Sequence, residues 1–430
     1  MRHYTLPLSL FIKNRDKLIS HLLPNSMAIV KSNDTMPLSA DAYYTFRQNP
    51  DIYYLTGIEQ EHTSLLLYPN SPVKEWREVL FIIEPKELQE KWEGKKLTKS
   101  RATELSGITN VQYIDQLDNM IYVMSNQAVN MYLHINEHSR YNNEVPDADK
   151  RQANILTQQY PLHKFERLAP ILHHIRSIKE PEEIAAMQMA CNITAKAFDR
   201  VLEFTKPGVK EFEIEAEIIH EFIRNGSEGH AYNPIIAGGA HATILHYNEN
   251  EDVCKDGDLI LLDFGCRYAG YSSDLSRTIP INGKFTERQK EVYNAVLEVH
   301  QFAKSILKVG VIIGEYQKQV IRKMEEVLIR LNLITVDEVN DLSALDPAYR
   351  RYFYHGTSHF IGLDVHDVGN FYKPVQAGMV FTIEPGIYIA EEKLGIRIEN
   401  NYLITNDGSI DLMENIPITV EAIEAKMNGI

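Results

Sequence analysis

Cysteine is scarce in this chain: three among 430 residues, Cys191, Cys254 and Cys266. An odd number without metal-ligand spacing excludes a disulfide framework and a zinc knuckle and suits a reducing compartment, so a cytoplasmic location is expected. Uninterrupted apolar runs of about 18 residues are also missing, which excludes a membrane-spanning helix. Met1 to Lys17 carry one short apolar patch, broken by Pro7, and no small-residue cleavage site, so no export signal is expected. Positive charge is in deficit, with 44 Lys and Arg against 59 Asp and Glu, a net charge of −15 at pH 7. Such a surface repels a phosphate backbone or an anionic bilayer, so neither nucleic acid nor membrane is an expected partner.

What is present is ordinary for a folded protein: 44% hydrophobic and 24% charged residues. At about 100–200 residues per domain the chain holds two or three domains. Short apolar runs, Ser64 to Tyr68 and Val79 to Ile83, alternate with amphipathic segments such as Leu88 to Leu105, which predicts an α/β domain over residues 1–172. Pro181 with Glu182 and Glu183 behind it opens a long helical pattern ending at Phe204, before Pro207-Gly208. From 173 to 430 the pattern repeats faintly. Lys206-Pro207-Gly208-Val209 precedes an amphipathic helix, Glu213 to Asn225, and Lys308-Val309-Gly310-Val311 precedes another, Tyr316 to Leu331. Two halves, each helix plus hairpin, predict one antiparallel sheet with helices on one face, an α+β domain.

The strands of that sheet carry acids. Leu259 to Phe264 is an apolar strand containing Asp263, and Tyr271 to Ile279 contains Asp274. With the turn at Tyr268-Ala269, Asp263 faces Asp274 at about 5 Å, where like charges repel. In the second half a turn at Glu391-Glu392 sets Glu384 opposite Glu399. Between the hairpins runs His355-Gly356-Thr357-Ser358-His359, followed by His366. One Asp at a strand end is ordinarily a cap, and one His in an apolar context is ordinarily a satisfied core residue. Two opposed acid pairs beside a histidine cluster instead suit two bound cations of the Mn, Co, Zn or Fe(II) type, a hydrolase constellation.

At these residues the chain resembles the pita-bread metallopeptidases, a family that includes prolidase and methionine aminopeptidase, and most of all the Xaa-Pro aminopeptidase (aminopeptidase P) branch. The resemblance rests on Ile244-Leu245-His246-Tyr247-Asn248-Glu249-Asn250, Leu262-Asp263-Phe264-Gly265, Ser273-Asp274-Leu275-Ser276-Arg277-Thr278, His355 to His359, Ile383-Glu384-Pro385-Gly386 and Arg397-Ile398-Glu399. Over the first domain it is looser, on Phe46-Arg47-Gln48-Asn49-Pro50 and Tyr53-Tyr54-Leu55-Thr56-Gly57.

The resemblance implies an N-terminal creatinase/aminopeptidase P-like α/β domain and a C-terminal pita-bread domain with a curved antiparallel sheet. It implies two divalent ions per subunit, manganese first and cobalt, zinc or iron as alternatives, held by Asp263, Asp274, His359, Glu384 and Glu399, with hydroxide between them as nucleophile. Glu384 would relay a proton, His246 and His366 would stabilise the carbonyl oxygen, and His355 would line the proline side. Arg397, on the same face of its strand as Glu399, would pair with Asp274 or with substrate, and the plainer alternative is a structural ion pair beside the crowded acids. The implied substrates are peptides with proline in second position, and a homo-oligomer, dimer or tetramer, is expected, with the first domain restricting access. Prolidase activity, a non-catalytic peptide-binding role and a creatinase-like amidinohydrolase are the competing readings; the last would not need the acids. His173, His174, His230 and His241 are expected to be structural or exposed, and Trp76 and Trp92 to pack in the core.

Overall fold

The computed structural model describes residues 5–429 except 142 and 342–344; the outermost predicted domain limits, 1 and 430, lie outside them. The chain divides into a compact unit Thr5–Arg176 and a second from Ser177 onward.

In the first unit the apolar runs become strands because they have nowhere else to hide their side chains. Ser64–Leu67 and Glu78–Ile82 pair antiparallel inside a six-stranded mixed sheet, whose other strands are Asn110–Tyr113, Ser26–Lys31, Asn130–Leu133 and Lys164–Arg167. Met27, Ile29, Leu66, Phe81, Met131 and Leu156 form the core against it. The segment Leu88 to Leu105 is two helices, Glu87–Glu93 and Lys99–Ser106, because Gly94 takes a φ of 86° that ends the first. The tryptophan expectation holds only in part. Trp76 packs half-buried against the core, whereas Trp92 is 85% exposed on the short helix.

A buried ion cluster ties four elements of this unit together. His134 follows the strand Asn130–Leu133 and places Nδ1 2.7 Å from Asp149 and Nε2 2.6 Å from Asp51, whose other oxygen accepts from Arg176 at 2.8 Å. Burial pulls the imidazole towards its neutral form, but Asp149 and Asp51 outweigh burial and hold His134 well above the usual histidine range. Its contribution to stability is therefore complete below the unfolded value of about 6.5 and is lost as pH climbs through the raised folded value. His134→Gln is expected to cost about 3–5 kcal/mol, because it leaves the buried Asp149 carboxylate without its cation. Both tryptophans lie in this unit, so urea unfolding followed by tryptophan fluorescence reads it. The parent should lose stability as pH rises above about 6.5, and the variant should lack that slope.

The second unit opens with the helix Pro181–Phe204, with Pro at its first turn and a reciprocal Glu180/Glu183 cap. Glu211–Arg224 and Ile313–Arg330 are the two repeat helices, each starting two or three residues earlier than the apolar pattern alone suggests. The duplication is real in the backbone: Gly208 donates to Cys254 O at 2.9 Å and Cys254 to Val209 O at 2.8 Å, while Gly310 donates to Val375 O at 2.9 Å and Val375 to Val311 O at 2.8 Å. Each half then supplies a three-stranded antiparallel sheet, Ile235–Gly238 with Leu259–Phe264 and Leu275–Pro280, and Val380–Ile383 with Asn400–Thr405 and Gly408–Asp411. A bridge between Ser276 and Glu399 joins them where the acids lie. Among the described residues no helix is long and apolar enough to cross a membrane.

Candidate metal centre

The first hairpin pairs two residues out of the expected register. Asp263 lies opposite Ser276, and Asp274 falls in the gap between the strands Tyr271–Ser272 and Leu275–Pro280. The chain reverses at Ala269-Gly270, both with positive φ (48° and 83°), one residue beyond the expected turn. A slip of two keeps every side chain on its own face, so the acids still converge. The hydroxyl of Tyr232 shows it, lying 2.6 Å from Asp263 Oδ1 and 2.5 Å from Asp274 Oδ1. The second hairpin has the expected register: Gly386 opposes Arg397 and Ile383 opposes Asn400, leaving Glu384 and Glu399 in the gap between two ladders.

Gaps in ladders free these residues from strand geometry, and other groups then fix them. Asn401 clamps the backbone of Asp274, accepting its N–H at 3.0 Å and donating to its carbonyl at 2.7 Å. Ser276 donates to Glu399 Oε2 at 2.6 Å, and buried Arg277 donates to Glu399 O at 2.7 Å.

Three carboxyls here sit well above the usual carboxylate range. Burial is the main cause in each, joined by Asp263 for Asp274, by Glu399 for Glu384, and by Asp274 for Glu399. His359 points into the same space. Its Nδ1 lies 2.9 Å from the carbonyl of Phe360, which sets the proton there and leaves the Nε2 lone pair facing Asp274 at 3.4 Å, Glu384 at 3.7 Å and Glu399 at 3.9 Å. With the acids ionised, a lone pair aimed at three carboxylates is unfavourable unless a cation lies between. Ligand atoms of Asp274, His359 and Glu399 fall within 4.8 Å of one another, and the buried Glu399 Oε1 has no hydrogen-bond partner. The donor set, oxygens with one nitrogen, therefore fits divalent cations.

Arg397 forms an ion pair among the acids, with a partner other than the one expected. Its guanidinium meets Asp263 Oδ2 at 2.5 Å, not Asp274, and also donates to Ser276 Oγ at 2.8 Å and Tyr388 OH at 3.0 Å. The two-residue slip places Ser276 where Asp274 was expected, which brings Asp263 into reach of Arg397. His355 Nε2 lies 2.8 Å from Tyr388 OH, and burial first and Arg397 second push His355 down to about 3, so it is neutral. Its Nδ1 lies 3.6 Å from Glu384. His366 meets His359 edge to face with ring centres 4.4 Å apart. His246 is exposed on the segment after 239–243 and close enough for its charge to reach His355.

The model of metallopeptidase family M24 matches residues 185–406, and that of the aminopeptidase P N-terminal domain matches 11–132. The chain belongs to metallopeptidase family M24. Among M24 relatives, the Xaa-Pro aminopeptidase of Escherichia coli is 35% identical over 97% of both chains. Human Xaa-Pro aminopeptidase 3 is 30% identical over 92% of this chain and 80% of its own. A solved aminopeptidase P from Pseudomonas aeruginosa superposes with a TM-score of 0.90 at 31% identity over 99% of both chains, and an Escherichia coli aminopeptidase P variant in complex with substrate superposes at 0.89 with 34% identity and the same coverage. Within this M24 fold, Tyr232, Tyr388 and Asn401 are the site residues that the sequence did not reveal. A lone tyrosine 31 residues from one acid and 42 from the other carries no local signal. Asn401 is likewise 127 residues from the Asp274 backbone it clamps, a distance that leaves no local signal.

Proposed function

We propose that this chain is a metal-dependent Xaa-Pro aminopeptidase that removes the first residue from peptides with proline second. The observation that carries the reading is the lone pair of His359 set against Asp274, Glu384 and Glu399, together with the Xaa-Pro aminopeptidases that align along nearly the whole chain. Asp263, Asp274, His359, Glu384 and Glu399 would hold two cations, with manganese as the proposed metal. Such ions lower the pKa of a bound water and polarise the carbonyl. The rest is the work of the chain. The nitrogen of an Xaa-Pro bond is tertiary and must gain a proton to leave; Glu384 would relay that proton. His366 and His246 would donate to the developing oxyanion. Neutral His355, held by Tyr388, would form an uncharged wall for the proline ring. Three free thiols support a cytoplasmic location. Self-association as a dimer or tetramer belongs to the same reading, with exposed Leu88 and Trp92 as supporting surface.

The test compares Ala-Pro, Ala-Pro-Ala and a longer Ala-Pro peptide with Mn-loaded protein. Metal-dependent cleavage of the two longer peptides is the expected outcome. Cleavage of the dipeptide alone would make the protein a prolidase, and no cleavage with metal bound would leave a peptide-binding protein.

A further inference from the structure

Residues 354–379 hold His355, His359 and His366, yet apart from a bridge at Phe360 contain neither helix nor strand. A structureless stretch of that length inside a compact unit needs something else to hold it. Side-chain chemistry supplies one strong anchor. Lys179 Nζ lies 3.0 Å from Asp367 Oδ2, with both side chains only 1% exposed. The partners are 188 residues apart in the chain, Lys179 just before the helix Pro181–Phe204 and Asp367 immediately after His366.

The backbone closes around this pair. Asp367 N–H donates to Phe360 O at 2.8 Å and Gly362 N–H to Asp364 O at 3.0 Å, curling the chain between His359 and His366 into a tight loop. Ser272 N–H, on the hairpin that leads to Asp274, donates to Gly362 O at 2.7 Å, and Lys179 N–H donates to Gly378 O at 2.8 Å. Gly362 lies directly on the ion pair: a Cβ there would come within 2.2 Å of Asp367 Oδ2 and 2.9 Å of Lys179 Cε. So the pair, the loop and the acid-bearing hairpin are packed as one body. A buried ion pair adds little net stability compared with apolar residues of the same shape. What it adds is direction, because the loop must bring Asp367 to Lys179 for both buried charges to be paired.

We propose that Lys179 and Asp367 are positioning residues of the active site, fixing the 359–366 loop so that His366 is held against His359 and the carboxyls. This inference rests on the peptidase reading above. Three variants test it. Lys179→Met alone leaves a buried carboxylate unpaired and is expected to lose both stability and activity. Lys179→Met with Asp367→Val removes both charges: the melting midpoint and two metal equivalents should return, while kcat on Ala-Pro-Ala stays about 10–100-fold down with KM little changed, and amide exchange at Gly362 and Asp367 runs at least about tenfold faster. Lys179→Arg, which keeps the charge, should fold and recover most of kcat. Parental kcat and parental exchange in the double variant would overturn the proposal, as would a Lys179→Arg protein that folds and binds metal yet is as impaired as the double variant. If the parent cleaves no Xaa-Pro peptide, the peptidase reading falls, while the exchange rates still decide the positioning.

Discussion

Stripping divalent cations with a chelator is expected to bring Ala-Pro-Ala cleavage to background and to lower the melting midpoint of the metallopeptidase unit, with Mn restoring both. The argument is electrostatic. Asp263, Asp274, Glu384 and Glu399 converge beside the guanidinium of Arg397, which is already committed to Asp263, while that of Arg277 is taken up by backbone carbonyls and Asn400. Two like charges 4 Å apart at an effective dielectric of 20 repel by about 4 kcal/mol, so without cations the acids stay protonated or strain the fold. Ions present at about a thousand times their dissociation constant would stabilise the folded state by about 4 kcal/mol. In a unit of this size that is a shift of roughly 10 °C. Calorimetry on stripped and reloaded protein reads the shift, and elemental analysis confirms the stripping. Full activity in ion-free protein would remove the metal from the mechanism.

Much of this centre was legible in the sequence because its chemistry is local. The helix Pro181–Phe204 announces both ends, by Pro and acids at the start and Pro207-Gly208 beyond. The second hairpin also follows its pattern, since the 3₁₀ turn at Ala390–Glu392 with Lys393 at φ 54° closes the register that places Glu384 near Glu399. The first hairpin slipped because Tyr268-Ala269 and Ala269-Gly270 both look like turns. Only the second puts glycine where the tight reversal needs positive φ. That one-residue difference hides the Arg397–Asp263 contact, as the long-range placement of Tyr232 hides the hydroxyl shared by two acids. Trp92 was misplaced for a different reason: an aromatic residue is ordinarily apolar ballast for a core, and sequence alone does not tell which side of a seven-residue helix faces water.

Replacing Glu399 by Gln is expected to lower kcat/KM by at least about a thousandfold, or about 4 kcal/mol of transition-state stabilisation. The amide has the same shape and can still accept from Ser276, so the fold around it should survive. What it loses is the charge at Oε1, the buried oxygen without a hydrogen-bond partner that lies 3.9 Å from His359 Nε2. An amide oxygen is a weaker ligand for a hard cation, and its NH2 group would point donors at the ions. The same substitution should act in the opposite sense on the stripped protein. There Glu399 only crowds Asp274 and Asp263, which with burial hold its carboxyl well above the usual range, and removing it relieves the repulsion. The metal-free variant should therefore melt higher than the metal-free parent, the trade between stability and activity typical of a functional site. A variant that lost stability in both the stripped and the loaded state would assign Glu399 to the fold rather than to the cations.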